Sequence, residues 1–167
     1  MKYRFVPRSD DLWVGGRRFI TRIRPDSTQV FSLDESHIGA MDFHSPDDGW
    51  AGGLFGYAYR WDGSHWTEFQ SDAIPQGTGI GITSIRMFAP DDGFLAGSAI
   101  GLLHWDGAAL ERVPEATSGA EGTGAGAICR NDLGAMVLAG ESTSLFHDGS
   151  WTRLDGVPPI RSCATDT

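Results

Sequence analysis

The sequence predicts an all-β fold: an array of four four-stranded antiparallel units plus one extra C-terminal strand. Three observations predict it. A segment recurs: Ser45 to Trp66, SPDDGWAGGLFGYAYRWDGSHW, returns as Ala89 to Leu110 and as Asn131 to Trp151, and a worn copy occupies Ser9 to Val30. The glycines that end the WAGG-like strand, Gly16, Gly53, Gly97 and Gly140, are spaced 53−16 = 37, 97−53 = 44 and 140−97 = 43 residues. A period near 40 with several strand signals per unit points to a β-propeller-like array, each unit a blade. Finally, 23 glycines in 167 residues without low complexity imply many tight turns, hence many short strands.

The second unit defines the pattern. Ile38 to His44 reads as strand A. Pro46 to Gly49 reads as a turn, with Pro presetting φ, Asp bonding local backbone and Gly left-handed. Trp50 to Gly53 is strand B, Leu54 to Gly56 a loop and Tyr57 to Trp61 strand C. Asp62 and Gly63 form a strong hairpin signal, and Ser64 to Gln70 follows as strand D. The third unit repeats this with strands Thr83 to Phe88, Phe94 to Gly97, Leu102 to Trp105 and Ala108 to Val113. The fourth runs Ala127 to Arg130, Met136 to Gly140, Ser144 to His147 and Ser150 to Leu154. The first runs Tyr3 to Val6, Trp13 to Gly16, Ile20 to Arg24 and Thr28 to Leu33, without glycine in either hairpin turn.

The chain reads as one domain, 1–167, with units at about 1–36, 37–80, 81–126 and 127–159. The links Ser71 to Gly81, Pro114 to Gly126 and Asp155 to Pro159 are rich in Gly, Pro and small polar residues and read as surface loops. Ile160 to Thr167, IRSCATDT, matches Ile85 to Asp92, IRMFAPDD, at four positions. It reads as strand A of a fifth unit. Pairing within one chain, pairing with another copy, or continuation in a longer propeller would each satisfy its edge.

A net charge of −9 disfavours nucleic acid and anionic membrane as partners and favours a basic protein. No apolar leader opens the chain, and no stretch approaches the roughly 18 apolar residues of a membrane span. Cys129 and Cys163 are expected to be free thiols in a reducing, cytoplasmic setting.

The PDDGWAGG and RWDGSHW pieces resemble bacterial β-propeller repeats of the broad BNR type, including proteins like the photosystem II stability factor. The resemblance spans nearly the whole chain and implies a scaffold, often for protein or glycan binding. It departs from the sialidase Asp box, where one residue separates Asp from Gly. Here Asp62 and Gly63, Asp106 and Gly107, and Asp148 and Gly149 are adjacent, so the resemblance implies no glycosidase activity.

Trp13, Trp50 and Phe94 share one position in strand B. Trp61 and Trp105 share another, where His147 replaces them. Trp66 marks a third. Replacement by Phe, Leu and Val fits blade-to-blade packing better than sugar stacking. Trp61 and Trp105, beside Arg60 and His104, are the two candidate glycan platforms. The pairs Asp10 and Asp11, Asp47 and Asp48, and Asp91 and Asp92 read as turn caps rather than calcium ligands, which need about six to eight converging oxygens. Five histidines show no metal-ligand spacing, so no metal and no cofactor is expected. The glycine runs at Gly77 to Gly81 and Gly122 to Gly126 read as flexible loops. No serine or cysteine has a nucleophile context, and no enzyme activity is expected.

Function therefore rests on what the units do not share. Their B–C loops differ, which fits one asymmetric protein partner. The candidate partner-binding residues are Arg17, Arg18, Phe19, Phe55, Ile100, Glu141 and Thr143. The expected function is a non-catalytic interaction scaffold, of the inhibitor or immunity type, for a basic partner. Self-association as a homodimer is open, and a glycan-binding, lectin-like propeller is the alternative.

Overall fold

The computed structural model describes residues 2–6, 9–113, 127–130, 136–139, 143–148 and 150–157. It is all-β, with fifteen strands among these residues. In chain order they are β1 Lys2–Phe5, β2 Leu12–Gly15, β3 Arg17–Ile23, β4 Thr28–Ser45, β5 Asp48–Gly53, β6 Ala58–Trp61, β7 Trp66–Phe69 and β8 Gly81–Ala89. Then follow β9 Asp92–Ser98, β10 Gly101–Trp105, β11 Leu110–Arg112, β12 Ala127–Arg130, β13 Met136–Ala139, β14 Thr143–His147 and β15 Ser150–Leu154. They form a seven-stranded sheet β1 to β7 and two four-stranded sheets, β8 to β11 and β12 to β15; none is closed on itself. Among the described residues no helix is long and apolar enough to cross a membrane.

Each repeat is an antiparallel meander of four strands. The seven-stranded sheet arises because strand D of the first unit and strand A of the second, expected as separate pieces, form the single 18-residue β4. Its first part pairs with β3 and its last part with β5. Irregular register falls at matching places in the second and third units. Shifts lie between Ile38 and Ala40 and between Phe43 and Ser45 in one, and between Ile82 and Ser84 and between Met87 and Ala89 in the other. The repeated sequence therefore encodes its β-bulges as well as its strands.

The turns correct two expectations. Pro46 and Asp47 alone span the A–B turn, since Ser45 pairs with Asp48; Pro90 and Asp91 do the same between Ala89 and Asp92. Gly49 and Gly93 already lie in strand B and do not take positive φ. They are glycine because a side chain lies on them: a Cβ at Gly49 would sit 2.2 Å from Phe43 Cδ1, and one at Gly93 would sit 2.4 Å from Met87 Sδ. The second correction concerns the Asp and Gly of strand C–D turns. In the second and third units Asp62 and Asp106 precede the turn and the glycine takes positive φ, 94° at both Gly63 and Gly107. In the fourth unit Asp148 itself takes φ 51°, and the turn has slid by one residue. Phe146 pairs with Trp151 as Trp61 pairs with Trp66. Phe146, not the exposed His147, is thus the structural counterpart of Trp61.

The core lies between consecutive units, in three wedges. In the first, Trp13 meets Trp61 edge-on at 4.9 Å and stacks on Phe43 at 5.1 Å, with Phe31 beside both indoles. In the second, Trp50 meets Trp105 at 5.1 Å and Phe69 at 4.8 Å. The third is thinner: Phe88, Phe94, Phe146 and Trp151 surround Ala96, Leu102, Ile128 and Met136. No core cluster joins the first and fourth units among the described residues.

Arginine caps the first two aromatic wedges. Arg22 lies over Trp13 at 5.2 Å and Trp61 at 5.9 Å; Arg60 lies over Trp50 at 5.6 Å and Trp105 at 4.8 Å. Cation–π contacts are worth about 0.5–1 kcal/mol where exposed and about 2 kcal/mol where desolvated, so buried Arg22 contributes more than the one-third-exposed Arg60. Near the inner edge, an isoleucine of each unit enters a small-residue notch in strand B of the unit before. A Cβ at Gly15 would sit 2.5 Å from Ile38 Cγ2, and one at Gly52 would sit 2.7 Å from Ile82 Cγ2. Ile128 meets Ala96 in the third wedge. Polar clamps tie successive A strands: Asp42 Oδ2 accepts from the Met87 amide at 2.9 Å, and Arg86 Nε donates to the Ile128 carbonyl at 3.3 Å.

Cys129, expected as a free thiol, is disulfide-bonded. That removes the cysteine argument for a reducing compartment, because disulfides persist where the environment is oxidising. Cys163 and the expected extra strand at 160–167 lie outside the described residues.

The Ile-in-notch contact makes a direct prediction. Gly52→Val should destabilise the fold by about 1–3 kcal/mol through overpacking against Ile82. Adding Ile82→Ala should recover part of that loss, so that the two changes are clearly non-additive in urea unfolding.

Candidate interaction face

In an antiparallel meander, the B–C turns and D–A links share one end and the A–B and C–D turns share the other. The two ends differ sharply in chemistry. At the A–B and C–D end, Asp10, Asp26, Asp47, Asp62, Asp91, Asp106 and Asp148 are all exposed. That end therefore carries a dense set of exposed carboxylates.

The second carboxylate of each Asp pair has a different task from the first. Asp11 is buried at 4% exposure and accepts from Arg22 and from Arg24 Nε at 2.7 Å. Asp48 accepts from Arg60 Nη2 at 3.3 Å, and Asp92 pairs with His104 and with Arg130 of the next unit. These are the residues that orient the wedge cations, so the pairs are more than turn caps. The sequence signal is the recurring 11- to 12-residue separation from Asp to the Arg or His that precedes or stands in line with the wedge aromatic. Burial pushes the Asp11 carboxyl up, but the hydrogen bonds and charges of Arg22 and Arg24 outweigh it and hold it below the usual range. Amides of His65 and Ser64, with the Ser64 hydroxyl, pull Asp62 down to about 2. The Ala109 and Ala108 amides lower Asp106 in the same way.

Trp61 and Trp105, the candidate glycan platforms, belong to this end but are buried at 1% and 2% exposure. Each indole N–H donates to a turn carbonyl, Trp61 to Pro46 and Trp105 to Pro90, both at 2.9 Å. Neither offers a face to a sugar.

The B–C end carries the remaining candidates. Arg17 and Arg18 are exposed, and Phe19 is half-buried with its ring lying over Gly16. Phe55 is 44% exposed and its neighbour Leu54, which the sequence did not single out, is 48% exposed. Ile100 and Thr143 correct the expectation: Ile100 is fully buried in the second wedge and Thr143 is 2% exposed. Glu141 lies outside the described residues. The sequence misplaces Ile100 because an apolar residue in a variable loop reads equally as an anchor or a plug.

Backbone hydrogen bonds hold these loops. Ile38 donates to the Gly16 carbonyl at 3.1 Å, Leu54 to His37 at 3.2 Å, Phe55 to Ile80 at 2.9 Å and Gly77 to Phe55 at 3.1 Å. Arg17 pairs with His37 on one side and Leu54 bonds His37 on the other, so the cationic and apolar loops lie side by side. Each described B–C turn also keeps one non-glycine residue left-handed: Arg18 at 65°, Phe55 at 64° and Ala99 at 62°. Such a conformation costs about 1 kcal/mol or more. A shallow pocket of about 380 Å³ opens beside this strip between Gly56, Phe69, Asp72, Ile74 and Pro75.

No family model matches the chain, and no curated protein matches it. Solved structures do. YCF48 bound to D1 peptide aligns with a TM-score of 0.64 at 15% identity, over 92% of this chain and 52% of that one. U3-55K aligns with the same score, identity and coverage. The computationally designed Ika8 protein aligns with a TM-score of 0.63 at 13% identity, over 98% of this chain and 50% of that one. The chain is thus similar in fold to β-propeller proteins and spans about half the length of these structures.

The carboxylate chemistry predicts a pH response. Each lowered Asp contributes stability that is fully present above the unfolded value near pH 4 and is lost as pH falls through the folded value. Stability should therefore drop between about pH 5 and pH 2. Asp11→Asn should cost about 3 kcal/mol at neutral pH and flatten that acid limb; circular dichroism melts across pH check both.

Proposed function

We propose that the chain is a non-catalytic scaffold of the propeller type that binds a protein partner through its B–C end. The observation that carries this reading is the Leu54–Phe55 pair. Two large apolar side chains stand exposed on a turn fixed by backbone bonds to the neighbouring link. An exposed aromatic on a preorganised turn has the profile of an interface anchor, because little ordering entropy remains to be lost on binding. Arg17 and Arg18 beside it favour a partner segment that combines apolar and acidic residues. A fold neighbour solved with a bound peptide supports the same use of the scaffold, by analogy of fold alone.

A second reading, an inhibitor or immunity-type binder of a basic partner, is favoured by the exposed aspartates at the opposite end. The two readings use opposite ends and differ in salt dependence. The lectin-like alternative has lost its two indole platforms to burial.

Panning a displayed random-peptide library on the purified chain tests the first reading. Peptides enriched in acidic and aromatic residues are expected, with affinity falling at least about thirtyfold in Phe55→Ala and weakening in Arg17→Glu. Peptides that bind the Phe55→Ala chain unchanged, or basic peptides lost on mutating Asp47 and Asp91, would overturn it.

A further inference from the structure

The exposed strip at the B–C end runs into the shallow pocket beside Phe55, and the two extremes of that run carry opposite charge. Arg17 and Arg18 stand at one extreme. Arg17 is the register partner of His37, the Leu54 amide donates to the His37 carbonyl, and the Gly77 amide donates to the Phe55 carbonyl, next to Gln76 in the pocket wall. Phe69, Ile74 and Pro75 give the pocket apolar walls, with Ile74 buried. Its rim is rich in acceptors. Asp72 is exposed there. Gln70 and Gln76 each donate a side-chain N–H to Glu68 Oε1, at 3.3 and 2.9 Å. A carboxylate only accepts, so the NH2 end of each amide is turned to Glu68 and its carbonyl oxygen away from it. None of the residues lining the pocket is basic. The pocket is also set before anything enters it. The Ile74 amide donates to the Ser71 carbonyl at 2.9 Å and the Ala73 amide to the Ser71 hydroxyl at 3.2 Å, while a Cβ at Gly56 would sit 2.4 Å from the Pro75 carbonyl oxygen.

We propose that this pocket takes one lysine or arginine side chain of the partner's bound segment, so that the segment presents an acidic, an apolar and a basic residue in that order across the strip. The proposal rests on the reading of the B–C end as the binding face. A long basic side chain suits both parts of the pocket: its methylene stem lies along Phe69, Ile74 and Pro75, and its donor head meets Asp72 and the glutamine oxygens. An acidic side chain would meet like charge there. A purely apolar one would strip water from the rim acceptors without replacing their hydrogen bonds. At about 380 Å³ the pocket is near the small end of the range of about 300–1,000 Å³ for ligand sites, which fits one side chain rather than a folded element. The opposite charges also fix the segment's direction, because the reversed orientation sets like charges against each other. Three paired neighbours separate Arg17 from the pocket wall, each a step of about 4.8 Å, so the basic residue falls about four positions of extended chain from the acidic one.

Panning the displayed random-peptide library on the wild-type chain and on Asp72→Lys tests this. The wild-type chain is expected to select peptides with Lys or Arg about four positions from an acidic residue. For one such peptide, followed by fluorescence polarisation, Asp72→Asn should weaken binding about fivefold. Exchanging the basic residue for norleucine should do the same, and the two changes together should cost little more than either alone. Asp72→Lys should instead select Asp or Glu at that position. Asp72 is exposed in a link, so its variants should fold with unchanged circular dichroism. Peptides that depend on Phe55 but show no basic position, or an unchanged selection on Asp72→Lys, would overturn the pocket assignment and leave the scaffold reading standing. Peptides indifferent to Phe55→Ala would overturn both.

Discussion

The structure depends on placing a guanidinium inside an aromatic wedge without leaving its charge unpaired. Arg22 does this in the first wedge: its plane covers Trp13 and Trp61 while Asp11 accepts its hydrogens at the rim. Burying the cation alone would cost several kcal/mol, and Asp11 without it would be equally costly. Together with the indoles they fill a tapering gap that aliphatic side chains would leave partly void. The second wedge repeats the device with Asp48, Arg60, Trp50 and Trp105. In the third, His104 replaces the arginine, and Arg130 enters from the following unit to meet Asp92 and lie over Phe88. The cation is conserved in space although its position in the repeat has changed.

The repeat made the architecture legible, because strand, turn and period all pointed the same way. Residue-level roles were less legible where one residue type serves two physical ends. PDDG looks like a turn with a left-handed glycine, yet Gly49 is glycine because Phe43 occupies its Cβ side. Aligning Asp148 with Asp62 by residue type concealed a one-residue slide, since either Asp or Gly can hold positive φ in a tight turn. The pairing of Asp11 with Arg22 leaves only a recurring 11- to 12-residue separation in the sequence, and that separation does not say which face a turn carboxylate addresses. At the candidate face, Arg17, Arg18 and Phe55 are displayed together, whereas Ile100 plugs a wedge.

The arrangement gives the two ends different work. Aspartates at the A–B and C–D end serve the turns and the wedge cations. The B–C end has no such duty, so its loops vary, and there the chain keeps exposed Leu54 and Phe55 beside Arg17 and Arg18.

A double-mutant cycle on Asp11 and Arg22 tests the wedge account most directly, with stability measured by urea unfolding of Asp11→Asn, Arg22→Met and the double variant. The account predicts strong coupling, the double variant losing about 1–3 kcal/mol less than the sum of the single losses. Additivity to within about 0.5 kcal/mol would contradict it, because the cation and its carboxylate would then be contributing independently.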